Sequence, residues 1–69
     1  MTNTQLLEEE IKKSGLKKGY LAKRLNLTRF GLAKKINGET EFKASEIVTL
    51  CTELKIVSPK QRDRIFFGQ

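Results

Sequence analysis

The 69-residue chain contains no histidine and no tryptophan, and only one cysteine, one proline and one tyrosine. Each scarcity excludes something. Cys51 has no partner for an internal disulfide, and zinc sites need Cys/His clusters at fixed spacings that this chain does not offer. A lone reduced thiol fits a cytosolic compartment. No apolar run approaches the roughly 20 residues of a membrane span, and no signal-peptide h-region follows Met1. Glycine-rich phosphate loops and nucleophile–base pairs are also missing, so the reading is not an enzyme, with no cofactor and no metal. The expectation is a cytoplasmic protein with no membrane role and no small-molecule ligand.

What the chain does have is lysine. Its formal charge is +6, and the distribution says more than the total. Between Lys12 and Lys43 ten basic residues stand against Glu39 and Glu41, whereas the first eleven residues carry Glu8, Glu9 and Glu10 and no base. A basic middle with acidic or near-neutral ends reads either as a face for a polyanion or as a lysine-rich solvated surface. A chain of this size makes one small domain, which buries only roughly 60% of its unfolded surface.

Apolar residues recur at helical spacing almost throughout and nowhere alternate as in a strand, which predicts an all-α domain of five helices. The first spans about Thr4 to Ser14, with Leu7 and Ile11 inward, early glutamates suited to its dipole, and Gly15 as its stop. A second spans about Lys17 to Asn26 around Leu21, Ala22 and Leu25. Asn26 can adopt a left-handed turn, and Thr28 can cap the third helix, which runs to about Ile36 with Leu32 and Ile36 as its buried pair. Asn37-Gly38 ends it. The fourth, from Ala44 or Ser45 to Leu54, sets Ile47, Leu50, Cys51 and Leu54 on one stripe. Ser58 as cap, Pro59 as first residue and Gln61 as capping-box partner begin a fifth.

The second and third helices are separated by about three residues, the spacing of a helix-turn-helix over residues 17–37, and the small Ala22 allows the close crossing that motif requires. The stretch "KKGYLAKRLNLTRFGLAKKINGETEF", with the downstream "EFKASEIVTLCTELKI" and the closing "IFF", resembles the phage Cro/CI-type (lambda-repressor-like) DNA-binding family, and small Cro-like phage repressors within it. The resemblance covers Leu16 to Phe67. It departs from the family at Asn26, where glycine is usual, at Lys18, where glutamine is frequent, and at Lys17, where a capping Ser or Thr is common. Ile36 also supplies the apolar anchor that relatives place at the position of Lys35.

The resemblance implies that the third helix enters the major groove of double-stranded DNA. Arg29, Phe30, Ala33 and Lys34 lie off the Leu32/Ile36 stripe and are the candidate base contacts. Arg29 can pair with guanine O6 and N7. Phe30 either rests against a thymine methyl or packs as core under the first or second helix. Gly31 either permits close approach to the DNA, clears space for another helix, or is a tolerated defect compensated elsewhere. Lys17, Lys18, Thr28, Lys35 and Lys43 are the candidate phosphate contacts, the first two at the start of a helix whose free N–H groups favour an anion. Lys23 and Arg24 read equally well as solvated. Ile65, Phe66 and Phe67 either close the core or form a two-fold dimer contact. Cys51 reads as a small core hydrophobe.

The expected function is that of a sequence-specific transcriptional regulator, a Cro-like repressor occluding a promoter. The resemblance implies a homodimer on a palindromic operator, in a bacterial cytoplasm and of phage or prophage origin. The rival reading is a protein-interaction module, antitoxin-like or an anti-repressor, on the same scaffold. Binding of single-stranded RNA would require stacked aromatic pairs that the chain lacks.

Overall fold

A computed structural model describes residues 1–68. It is all-helical: α1 (Thr4–Ser14), α2 (Lys18–Arg24), α3 (Arg29–Ile36), α4 (Ala44–Leu54) and α5 (Pro59–Phe66), within an envelope of 28 × 24 × 21 Å. Helix α1 is the hub, packing on α3, α4 and α5, while α2 packs on α3 and α4. Every helix sends at least one fully buried side chain into a single core: Leu7, Leu21, Leu32 and Ile36, Leu50, and Ile65. Burial of each such side chain stabilises the fold by roughly 1.5–3 kcal/mol before conformational entropy is counted. Phe42, in the segment before α4, meets Phe66 edge to face with ring centroids 5.5 Å apart.

The helix ends explain most of the boundaries. The N-cap of α1 is Asn3, whose side chain accepts from the Leu6 N–H at 3.1 Å. The three glutamates therefore lie beyond the first turn, where Glu10 pairs with Lys13 and Glu8 with Lys18 instead of meeting the dipole. Helix α2 is shorter than expected, since Leu25 and Asn26 already belong to its C-terminal turn. Asn26 sits at φ 58°, the Leu27 N–H donates to the Ala22 carbonyl at 2.9 Å, and the Asn26 N–H donates to Lys23 at 3.2 Å. These two bonds form a Schellman motif, which satisfies carbonyls a helix end would otherwise leave open. The same pair recurs after α3, where Gly38 has φ 80° and the Glu39 N–H reaches the Lys34 carbonyl.

The C-terminal cluster divides. Ile65 and Phe66 are buried in the core, so neither is free to form a dimer contact, and only Phe67 of the three is exposed. The chain start is fastened beside them, with the Asn3 N–H donating to the Ile65 carbonyl at 2.6 Å. Ser58 caps α5 by accepting from the Gln61 N–H. Cys51 is only partly buried, at the rim of the core rather than within it, and that burial pushes its thiol pKa up.

Candidate nucleic-acid interface

Four residues, Leu25 to Thr28, connect α2 to α3. Leu25 is buried and Leu27 partly so, which pins the turn to the core. The Thr28 hydroxyl then accepts from the Gly31 N–H at 2.9 Å and starts α3. At the other end, the Thr4 hydroxyl donates to the Ile36 carbonyl at 2.7 Å, tying the last turn of α3 to the first residue of α1. With Leu32 and Ile36 buried, both the rotation of α3 and its tilt are set.

That rotation turns Arg29, Phe30 and Ala33 outward, with Lys34 partly covered beside them. Phe30 is 74% exposed and is not a core residue. Its only aromatic interaction among the described residues is with Lys34, whose Nζ stands 5.5 Å from the ring centroid. Gly31 clears no space for another helix. A methyl group there would meet only the Thr28 hydroxyl, at 3.2 Å, so any packing reason for glycine is confined to its own cap. Arg29 runs back across α2 with its Cδ and Nε beside Gly19. It joins Lys18, Ala33 and Asn37 around a hollow of about 230 Å³, floored by Leu32 and Ile36. Glu8 of α1 closes the rim, and both its oxygens reach Lys18 Nζ, at 2.9 and 3.0 Å.

The lysines behave differently from one another. Lys17 and Lys43 are exposed, as is the capping Thr28. Lys35 is withdrawn from the phosphate set: its Nζ lies 2.6 Å from Glu46 Oε1, with the two side chains only 12% and 9% exposed. The same Glu46 oxygen accepts from the Lys43 backbone N–H at 2.8 Å, capping α4. Burial pushes the Glu46 carboxyl up, but the bonds from Lys35 and the Lys43 backbone outweigh it and leave its pKa below the ordinary 4.5. Arg24 is likewise engaged, with Glu53 at 2.9 Å, and Tyr20 donates to the other oxygen of that carboxylate at 2.9 Å. Those two bonds, Arg24's first, hold the Glu53 carboxyl below its usual value. Lys23 stays exposed.

Three participants escaped sequence reasoning: Glu8, Asn37 and Glu46. Glu46 carried a local signal, since a carboxylate three residues into a helix often caps it. The Glu8–Lys18 and Lys35–Glu46 pairs span ten and eleven residues between different helices, and no periodicity reports such contacts. Among the described residues no acidic or cysteine cluster could hold a metal, and no helix is long and apolar enough to cross a membrane.

The fold and this face define a small all-helical domain that exposes a basic, aromatic-bearing helix. Comparison with protein-family models, with curated proteins and with solved structures finds no match for the chain.

Proposed function

We propose that the protein is a sequence-specific double-stranded DNA-binding regulator, with α2 and α3 acting as a helix-turn-helix and α3 in the major groove. The observation that carries this reading is Phe30: a large apolar side chain left 74% exposed on a helix whose other outward residues are Arg29, Ala33 and Lys34. An exposed apolar ring among cations suits a thymine methyl flanked by guanine edges and phosphates. In this reading Arg29, Phe30, Ala33 and Lys34 face the bases. Gly31 lets the backbone come close, and Lys17, Lys18, Thr28 and Lys43 meet the phosphates. Two copies on a palindrome overlapping a promoter would repress by occlusion, as the resemblance to small Cro-like phage repressors implies.

The test is a binding selection from random duplex DNA at near-physiological salt. The expected result is an enriched palindrome bound at least about a thousandfold tighter than scrambled sequence. Equal binding to every duplex would reduce the face to a basic surface. A second reading is favoured by another observation, the exposure of Val48 and Val57 beside a hollow between α4 and the start of α5. Such a patch suits a protein partner, with Phe30 as a further anchor. Nucleic acid that co-purifies and is displaced by salt supports the first reading over the second.

A further inference from the structure

We infer that Glu8 is an internal stand-in for a DNA phosphate: it occupies Lys18 in the free protein and lowers the affinity of the α2–α3 face for DNA of any sequence. The inference rests on the DNA-binding reading and adds to it a negative element that composition alone does not reveal.

The geometry is that of an anion already docked. Both oxygens of Glu8 lie within 3.0 Å of Lys18 Nζ, the distance at which a lysine holds a phosphate oxygen. The carboxylate also shares its hollow with Arg29 and Ala33 on the outward side of α3 and with Asn37 just beyond its end. Lys18 and Glu8 are 47% and 41% exposed, so the pair is weak and open to exchange with an anion from solvent. The backbone that carries Glu8 is fixed beside the face, because its helix is anchored by buried Leu7 and Ile11. When Lys18 turns to a phosphate, the carboxylate is left facing the same polyanion. Breaking the pair and leaving that charge behind both oppose binding. Neither depends on base sequence, so the residue acts on the electrostatic part of affinity, which dominates non-specific binding. Glu9, its neighbour, is exposed and forms no ion pair among the described residues, and it supplies a control for net charge alone.

The experiment measures binding of the full chain to a short random-sequence duplex across a salt series, for the wild type, Glu8→Gln, Glu9→Gln, Lys18→Met and Glu8→Gln/Lys18→Met. Helicity and thermal midpoint are checked for each. Glu8→Gln is expected to tighten binding by about two- to fivefold at low salt, the size of effect an exposed pair supports. The salt slope should steepen by up to about one, as one more lysine engages a phosphate. Glu9→Gln should tighten binding less, and in the Lys18→Met background the gain from Glu8→Gln should shrink. Equal gains from Glu8→Gln and Glu9→Gln would overturn the inference, as would a Glu8→Gln gain that persists undiminished without Lys18. In both cases DNA binding itself would stand. A wild-type chain that binds no duplex would overturn the DNA-binding reading, and this inference with it.

Discussion

Two residues within one turn of a single helix, on opposite sides of it, illustrate how exposure divides the chemistry. Phe30 is open to solvent, whereas Leu32 is buried in the core. Phe30→Ala should change stability by no more than about 0.5 kcal/mol, as surface substitutions usually do. Leu32→Ala should cost about 2–5 kcal/mol. If Phe30 meets DNA, its truncation should lower affinity for a selected site while the thermal midpoint stays put. Arg29→Ala should erase discrimination at one position, whereas Lys18→Ala should weaken all sequences about equally; equal losses from both would remove Arg29 from base readout. The Lys35–Glu46 pair gives the opposite signature. Removing either partner strands a nearly buried charge, at about 3 kcal/mol. That is a large share of the roughly 3–10 kcal/mol total for a chain this size. The pH dependence follows in sign. The pKa of Glu46 is depressed in the folded state, so its stabilisation is present above the unfolded value near 4.5 and is lost as pH falls through the folded value. Urea unfolding followed from pH 7 to pH 3 should show an acid-side loss of stability. In Glu46→Gln that loss should be smaller, with only the similarly depressed Glu53 and other carboxylates left to supply it.

At the scale of elements, the turn between α2 and α3 bears the orientation of the whole candidate face. Asn26 occupies a left-handed conformation there, which costs an ordinary L-residue roughly 1–2 kcal/mol. Asn26→Ala should therefore destabilise by about 1 kcal/mol, while Asn26→Gly should be neutral or slightly stabilising; chemical denaturation of the two variants checks this. The turn was legible in the sequence because its chemistry is local: Asn26 for the left-handed step and Thr28 for the cap, as Gly38 is for the stop of α3. The five helices were legible for the same reason, each carrying its own apolar stripe. What was not legible depended on distance. Lys35 and Lys43 read alike as flanking cations, yet one is largely covered against Glu46 and the other is exposed, because α4 starts beside α3 and turns Glu46 toward it. Phe30 was ambiguous because helical spacing alone does not say how wide the buried stripe is, and packing on α2 and α1 confines it to Leu32 and Ile36. Ile65 and Phe66 were ambiguous for a related reason, since an apolar cluster at a chain end serves a core and an interface equally well.

For the whole molecule the question is how many charges remain for a polyanion. The formal +6 does not say which bases are free, because several are already paired. Lys35 and Arg24 are held by Glu46 and Glu53, and Lys18 is shared with Glu8. That leaves Lys17, Lys23, Arg29, Lys34 and Lys43, with Lys18 after exchange, as the cations on and beside α2 and α3. With Arg29 and Lys34 on the bases, two copies would engage about six phosphates through Lys17, Lys18 and Lys43, for which log K should fall with log salt at a slope of roughly −5. Between 50 and 200 mM salt, affinity should drop by about 10³. A binding titration on a selected duplex at four salt concentrations gives the slope directly. A slope shallower than about −2 would mean that fewer than three phosphates are contacted, too few for a two-copy complex seated through these lysines. Lys43→Ala should then make the slope shallower by about two, one phosphate for each copy, without changing which sequence is preferred.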